Sequence, residues 1–191
     1  MRREEVRLVF VDEAHIHQDL DLGYTWAPQG QQAWRASSSP GLYKRLDWYG
    51  AYDFTQGGVF LWHGGQCNSE HTVRFLEQLA QWLGETKHPV VLIWDGASYH
   101  RSQQVRAAAQ RLGIHILPVP AYSPDLNPVE RLWQWLREEV TRLHCYPSLY
   151  ELCLACLRFV ETLNQDPETV LRRLWPKFDL DPEFENLLLS N

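Results

Sequence analysis

The sequence predicts a mixed α/β fold, in which one β-sheet is covered on its faces by helices. Two patterns predict this fold class. The first part of the chain holds short strand-like runs separated by glycine and proline, which is typical of an antiparallel meander. The remainder alternates helical periodicity with short apolar runs, which is typical of parallel crossovers. The 191 residues, of which 45% are hydrophobic, suffice for one well-buried domain.

The predicted meander begins at residues 6–11 (VRLVFV), a β-branched apolar run that stops at Asp12 and Glu13. This pattern predicts a buried strand that delivers acids at its carboxyl end. Three later runs are rich in aromatic side chains and are separated by turn residues. They predict further strands over residues 32–37, 46–54 and 58–63.

The second part of the chain begins with a helix. Apolar residues recur at helical spacing from Ser69, which is also the expected cap, to Gly84. The run PVVLIW then predicts a buried strand that stops at Asp95. A short helix over about 102–112 and a strand over HILPVP follow. This order predicts a parallel crossover next to the meander.

Two further helices with apolar stripes are predicted, one after the loop AYSPDLNP and one over residues 148–164. Cys153 and Cys156 have the spacing of a zinc pair, but both fall on the apolar stripe of the second helix. Buried structural cysteines are therefore favoured. We expect residues 1–165 to form the main domain and residues 166–191 to form a helical tail packed on it or extending from it.

Asp12 and Asp95 each follow a predicted buried strand. Both are therefore expected at the carboxyl edge of the sheet, where ligand sites are favoured. Acids in such positions have to be solvated, hydrogen-bonded or bound to a metal. Two carboxylates, with a third from a nearby helix, can hold a pair of divalent cations for phosphoryl transfer. The two strand ends therefore predict a metal-dependent site.

Glu130 is the candidate for the third carboxylate. If Asn127 caps the following helix, Pro128 is its first residue and Glu130 its third, beside the apolar stripe begun by Val129. A glutamate at the rim of the first turn can face a cleft. The alternative is structural, because glutamate in the third position also completes a capping box and suits the helix dipole. The spacing alone leaves both interpretations open.

Two other motifs compete for the segment after the first strand. Residues 12–15 spell DEAH, the acidic box of helicases, but that function requires a phosphate-binding loop, and no Gly-Lys pair occurs in the chain. The helicase interpretation is therefore rejected. His15 and His17 have the spacing of ligands on a strand, and a zinc site completed by His100 or His115 stays open as an alternative.

The net charge of −6 argues against a protein whose whole surface binds nucleic acid, because phosphate neutralisation normally needs surplus lysine and arginine. The objection weakens if several acids converge on bound cations, which reverse the local sign of charge. Basic residues are also clustered, as in the group Arg131, Arg137 and Arg142. Local contacts with a DNA backbone are therefore still expected.

Three segments resemble, in order, the signature blocks of mariner-like transposases and their bacterial insertion-sequence relatives, the DDE (Asp, Asp, Glu) superfamily. They are VFVDEAHIHQDLDLGYTWAPQGQQ, VVLIWDGASYHRS and LPVPAYSPDLNPVERLWQWLR, and the resemblance covers nearly the whole chain. The 34 residues between Asp95 and Glu130 match the spacing of that superfamily, and SPDLNPVE is its most specific phrase.

The resemblance implies a ribonuclease H-like fold and a catalytic metal triad of Asp12, Asp95 and Glu130. The expected cofactor is Mg²⁺, with Mn²⁺ as a substitute. The expected reaction is hydrolytic nicking of DNA at transposon ends, followed by attack of the freed 3′-hydroxyl on target DNA. Both steps are in-line displacements at phosphorus.

The resemblance also places supporting residues beside the triad. His100 and Asn127 are expected there, and we include Glu13 with them because it follows the first aspartate. Gly96 stands where members of the family commonly have asparagine, so one amide beside the second aspartate is missing.

DNA is the partner that the resemblance implies, both as transposon ends and as target. A homodimer would suit the need to bring two ends together. Only eleven residues precede Asp12, whereas such transposases usually carry helix-turn-helix domains there, so a separate helix-turn-helix DNA-binding chain is expected. Four cysteines, no apolar leader and no long apolar run predict a cytoplasmic bacterial protein, nucleoid-associated when bound and not in a membrane.

Two alternatives to a transposase catalytic core are left open. The first is a domesticated or split-subunit DNA-binding or assembly protein that keeps the fold but not the activity. The intact acids argue against it, and the missing DNA-reading domain argues for it. The second is a metal-dependent nuclease that cuts DNA without joining it to a target.

Overall fold

The computed structural model describes residues 6–37, 43–95, 102–119 and 126–174. Over these ranges the chain forms a five-stranded mixed sheet with helices on both faces, which confirms the predicted fold class. In chain order the elements are β1 (Arg7–His17), β2 (Arg45–Asp53), β3 (Gly58–His63), α1 (Ser69–Leu83), β4 (Val90–Trp94), α2 (Gln103–Arg111), β5 (Ile114–Pro118), α3 (Val129–Leu136) with a π-helical continuation (Arg137–Thr141), α4 (Leu149–Leu163) and α5 (Pro167–Leu174).

The sheet has the strand order β3-β2-β1-β4-β5. β1, β2 and β3 form an antiparallel meander. β4 and β5 continue the sheet on the other side of β1, and both of these pairings are parallel. The predicted order of a meander followed by a parallel crossover is therefore confirmed, and β1 lies at its centre.

β1 runs past its predicted end. The sequence predicted a strand that stops at Asp12, but β1 continues to His17 and stays paired with β2 over its whole extension. The prediction was wrong because the polar residues after Asp12 alternate with Ala14 and Ile16, which are buried. Alternation of this kind indicates a strand with one covered face. The acids therefore lie in the middle of β1 and not at its end.

Residues 32–37, which were predicted to form a strand, do not form one. Every residue from 22 to 37 is exposed to solvent. Both sides of β1 are occupied by β2 and β4, so this segment finds no place beside the central strand. Trp34, the one aromatic residue in this run, instead faces solvent with 81% of its surface exposed.

The alternation of side chains along β1 divides the core into two layers. Phe10, Ala14 and Ile16 pack on the face that α3, α4 and α5 cover. Val9 and Val11 pack on the opposite face, which α1 and α2 cover. Successive side chains of a strand point to opposite faces, so the same strand supplies both layers.

The ends of α1 are set by local hydrogen bonds. The side chain of Asn68 accepts a hydrogen bond from the backbone N–H of His71 at 3.0 Å, so Asn68 is the cap in place of the predicted Ser69. Asparagine and serine serve equally well there because both side chains carry an acceptor oxygen. Gly84 ends the helix as predicted, with φ 65°, a conformation that glycine adopts without strain.

The carboxyl-terminal helices complete the layer on the Asp12 side of the sheet. α4 confirms the helix predicted for residues 148–164. In α5, Val170 and Leu174 are fully buried in the same core layer as α3 and α4. The division of the chain after residue 165 stays a prediction, and residues 175–191 lie outside the described part. No described helix has the length and apolar character needed to cross a membrane.

Candidate active site

Asp12 and Asp95 are brought together by the parallel pairing of β1 and β4. The last printed pair in this register joins Phe10 to Ile93. The same register carried two residues further places Asp12 beside Asp95. β4 ends at Trp94, so Asp95 leaves the sheet at the point where β1 continues beyond its neighbour. The strand register alone therefore brings these two acids to one edge.

Three carboxylates converge at this edge. Asp12, Glu13 and Asp95 each offer one oxygen, and these oxygens all lie within 4.8 Å of one another. Asp12 and Glu13 are partly buried, and Asp95 is exposed. Among the residues that the structure describes, this is the only such group of three or more histidine, cysteine or acidic side chains. Closely spaced carboxylates repel one another, and a shared cation relieves that repulsion.

Glu13 was predicted only as a supporting residue, but one of its carboxylate oxygens lies within 4.8 Å of oxygens of both aspartates. Successive side chains on a strand diverge, so the sequence favours only one of Asp12 and Glu13 for a shared site. The Glu13 carboxylate can turn toward Asp95 because β4 has already ended. The indole Nε1–H of Trp94 donates a hydrogen bond to Glu13 Oε2 at 3.3 Å. A tryptophan directly before the second aspartate was the signal in the sequence that could have pointed to this position.

Glu130 lies on the exposed first turn of α3, next to the buried Val129. Its oxygens are not part of the group within 4.8 Å. Its charge nevertheless acts on Asp12, where it is the largest cause of the raised pKa after burial. The structure therefore places Glu130 within electrostatic reach of the first aspartate, and its part as a metal ligand stays a prediction.

The electrostatics of the site are dominated by Asp12. Burial, and after it the charges of Glu130 and Glu13, raise the pKa of this carboxyl from 3.8 to about 7. A hydrogen bond from Trp133 opposes the shift, because a donor stabilises the ionised carboxylate. Without a cation, Asp12 is therefore close to half-protonated at neutral pH. Perturbed carboxyls of this kind are typical of functional sites.

Asn127 joins the start of α3 to β1. Its Nδ2 donates to the Val11 carbonyl at 2.9 Å, and its Oδ1 accepts from the Val129 N–H at 3.2 Å. Val11 directly precedes Asp12, so one buried amide links the first aspartate's strand to the helix of Glu130. Asn127 therefore ties the backbone of β1 to the start of α3, and its supporting role at the site stays a prediction.

The first turn of α3 differs in one respect from the prediction. The helix begins at Val129, so Pro128 and not Asn127 is the capping residue, and Glu130 is the second residue of the helix and not the third. The first turn closes with short-range bonds such as that from the Glu130 N–H to the Asn127 carbonyl at 3.2 Å. Proline has no N–H, so Glu130 cannot complete a capping box with the observed cap. The structural alternative for Glu130 is weakened accordingly.

The form of the zinc alternative that is completed by His115 is not supported by the fold. His15 Nδ1 is 2.6 Å from Asp47 Oδ1 on β2. His115 lies near the start of β5, and β4 separates that strand from β1. The two histidines are therefore too far apart in the sheet to share a metal. His100, which was expected beside the acids, lies outside the described residues, as does Gly96.

The two cysteines of the C-x-x-C pair belong to the core. Cys156 is fully buried, and Cys153 packs against the same layer. Burial raises the pKa of the Cys156 thiol to about 12. Zinc is bound by the thiolate, which burial of this kind disfavours. The preference for structural cysteines is therefore confirmed.

Comparison with known proteins agrees with this geometry. The family model described as DDE superfamily endonuclease matches residues 7–153. The uncharacterized 39 kDa protein of insertion element IS630 from Shigella sonnei is 29% identical over 159 residues, which are 83% of this chain and 46% of that protein. The Tc1 transposase of Caenorhabditis elegans is 44% identical over 46 residues, which are 24% of this chain and 17% of that protein. The chain thus spans about half the length of the Shigella relative.

Solved structures of the Mos1 mariner transposase share the fold. The paired end complex with Mg superposes with a TM-score of 0.69 at 22% identity, covering 96% of this chain and 55% of that one. The Mos1 catalytic domain alone gives a TM-score of 0.56 at 20% identity, covering 91% and 84%. The expected ribonuclease H-like architecture is thereby confirmed. With the family model matched over most of its length, the chain belongs to the DDE superfamily of endonucleases.

Proposed function

We propose that this chain is the catalytic core of a DNA transposase, which cleaves DNA strands at transposon ends and joins them to a target. The observation that carries the proposal is the convergence of carboxylate oxygens from Asp12, Glu13 and Asp95 within 4.8 Å, at the strand edge of a DDE-family fold. Glu130, which acts electrostatically on Asp12, is the proposed third acid of the catalytic triad.

The donor set fits a hard divalent cation. Carboxylate oxygens are the ligands that Mg²⁺ and Mn²⁺ prefer, and no thiolate or imidazole is part of the observed group. When bound, two such cations activate the attacking oxygen and stabilise the leaving oxygen of a phosphoryl transfer. We propose Mg²⁺ as the cofactor, with Mn²⁺ as a substitute, held by Asp12, Asp95 and Glu130. The Mos1 complexes solved with Mg and with Mn support this choice.

Some residues of the proposed site position the acids, and the acids themselves bind the cations. The strand register holds Asp12 and Asp95 side by side. Asn127 ties the start of α3, and with it the exposed first turn that carries Glu130, to β1. Asp95 and Glu130 are open to solvent, whereas Asp12 is partly buried, so DNA approaches from the side of the first two. Cleavage and strand transfer are both displacements at phosphorus, so one arrangement serves both steps.

The proposed substrate is DNA, and a basic group lies near the acids. Arg131 lies on α3, Arg137 begins its continuation and Arg142 directly follows it. Arg137 donates a hydrogen bond to the carbonyl of His15 on the β1 extension at 3.2 Å. With a net charge of −6, we expect weak, sequence-indifferent DNA affinity that falls steeply with salt. Sequence recognition through a separate helix-turn-helix chain, and a homodimer that pairs two ends, complete the proposal. The similarity to the Shigella protein supports a bacterial setting, and we propose that the protein is cytoplasmic and associates with the nucleoid when bound to DNA.

A cleavage assay tests the proposal. Labelled DNA that carries the element's own terminal sequences is incubated with the protein and Mn²⁺, and nicked and joined products are separated by size. Asp95→Asn should reduce both products to the level seen with chelator. Asp166→Asn is the matched control, because Asp166 caps α5 and asparagine keeps an acceptor for the Thr169 N–H. Equal activity of wild type and Asp95→Asn would contradict the proposal, and nicks without joined products would reduce it to a nuclease.

A further inference from the structure

Trp133 makes a specific contact with the first aspartate. Its side chain is 1% exposed, and its indole Nε1–H donates a hydrogen bond to Asp12 Oδ2 at 3.0 Å. The indole N–H can only donate, so the Asp12 carboxyl is the acceptor in this bond. The bond uses one lone pair of Oδ2. A backbone hydrogen bond from Glu13 uses a second acceptor site of the carboxyl, and an ionised carboxylate has further lone pairs that can bind a cation.

Gly50 provides the space for this indole. Gly50 is the cross-strand partner of Asp12 in the pairing of β1 with β2. A Cβ atom at Gly50 would lie 2.5 Å from Cζ2 and 2.6 Å from Cη2 of Trp133, closer than real Cβ contacts occur. The backbone of Gly50 is ordinary strand, so close approach of the ring, and not a special conformation, requires glycine here.

Trp133 also connects two parts of the proposed triad. It lies three residues after Glu130 on α3, close to one helical turn, so the two side chains are neighbours on the helix surface. The indole bond therefore fixes the distance between the helix that carries Glu130 and the strand that carries Asp12. Groups that orient metal-binding side chains in this way commonly matter nearly as much as the ligands themselves.

We propose that Trp133, seated against Gly50, is a positioning residue that orients the Asp12 carboxylate and holds α3 at the distance needed for divalent cation binding. The inference rests on the proposed function, because it assumes that Asp12 binds a metal. It adds to that function two residues, one on α3 and one on β2, that touch neither DNA nor cation.

Calorimetric titration of the metal-free protein with Mn²⁺ tests this role without relying on activity. Trp133→Phe keeps a ring in the slot but removes the N–H donor, and it should weaken Mn²⁺ affinity about 10- to 100-fold. Trp135→Phe is the matched control on the same helix, because Trp135 packs against Phe159 and Arg173 on the far side of the layer. Its Mn²⁺ affinity should equal that of wild type.

Gly50→Ala gives an independent check, because it displaces the same indole without changing Trp133. Its Mn²⁺ affinity should fall like that of Trp133→Phe, with Asp12→Asn as the reference for a lost ligand. Thermal unfolding of every variant reports whether the fold is kept.

A purely structural role would lower the melting temperature of both tryptophan variants and leave Mn²⁺ affinity unchanged, which would overturn the inference. Wild type that binds no Mn²⁺, or binds it as weakly as Asp12→Asn, would overturn the proposed function itself. The two failures are therefore distinguished by the wild-type titration.

Discussion

Asp12 and Glu13 are neighbours on β1 but belong to opposite faces of the sheet, and each is held by one indole. On the Asp12 face the indole is that of Trp133, which belongs to α3. On the Glu13 face it is that of Trp94, which belongs to β4 and the layer beneath α1 and α2. Both bonds have similar lengths, 3.0 Å and 3.3 Å. The difference lies in the elements that they connect.

Each indole links one β1 acid to the element that carries another acid. Trp133 joins Asp12 to the helix of Glu130, whereas Trp94 joins Glu13 to the strand that ends at Asp95. Asp12 is the more heavily perturbed of the two, because its pKa is raised to about 7 by burial and by its neighbours. The two indoles therefore hold acids whose oxygens converge with that of Asp95, one from each face of the sheet.

The largest expected effect separates these two acids. Asp12→Asn should reduce Mn²⁺-dependent DNA cleavage to the chelator background, because it removes a ligand shared by both steps. Glu13→Gln should retain activity, lowered about 10- to 100-fold, because it removes a neighbour of the ligands. Single-turnover cleavage rates measure both. If Glu13→Gln loses cleavage activity as completely as Asp12→Asn does, the two acids do not differ in role, and Glu13 is itself a metal ligand.

A second effect concerns pH and the metal-free fold. The raised pKa of Asp12 means that the folded state favours the protonated carboxyl. The corresponding stability is present below about pH 4 and is lost as the pH rises through about 7. Relative to Asp12→Asn, wild type should therefore lose free energy of unfolding on the order of a few kcal/mol between pH 4 and pH 8.

Urea unfolding in chelator at both pH values measures this difference. Added Mn²⁺ should reverse it at high pH, because a cation stabilises the ionised carboxylate. A difference between the two proteins that does not change with pH would show that Asp12 titrates normally.

The smallest effect tests the link between α3 and β1. Asn127→Ala leaves the Val11 carbonyl and the Val129 N–H without their partner, and it should cost about 1–3 kcal/mol of unfolding free energy. Asn164 is a matched control, because its side-chain amide also makes two backbone hydrogen bonds. Its Oδ1 accepts from the Val59 N–H, and its Nδ2 donates to the Val59 carbonyl. Asn164→Ala should lower stability without changing Mn²⁺ affinity, whereas Asn127→Ala should lower both. If Asn127→Ala binds Mn²⁺ as tightly as wild type does, the link between α3 and the metal site depends on Trp133 and not on Asn127.

Much of this arrangement could be predicted because it depends on local patterns. β3 and β4 were predicted nearly to the residue, since continuous apolar runs end at turn residues there. The proximity of Asp12 and Asp95 was predicted from the acid that follows each buried apolar run, although β1 itself continues past Asp12 to His17. The exposed residues 32–37 were mispredicted because composition cannot show whether a run finds a partner strand.

The remaining features depend on register. Glu13 joins the acids because β1 outruns β4, which is a property of the pairing and not of either strand. Gly50 is opposite Asp12 only in the observed alignment of β1 with β2. The bond from Trp133 depends on how α3 crosses that pair. Sequence patterns indicate each element separately, so contacts between distant elements had to await the structure.

The central claim is that Asp12, Asp95 and Glu130 bind the same divalent ions. Diffraction from crystals grown with Mn²⁺, recorded with anomalous scattering, tests it most directly. We expect an anomalous peak between Asp12 and Asp95, with a Glu130 oxygen within about 2.1 to 2.6 Å of a bound ion. No peak at this edge of the sheet, or a peak with the Glu130 carboxylate turned away, would contradict it.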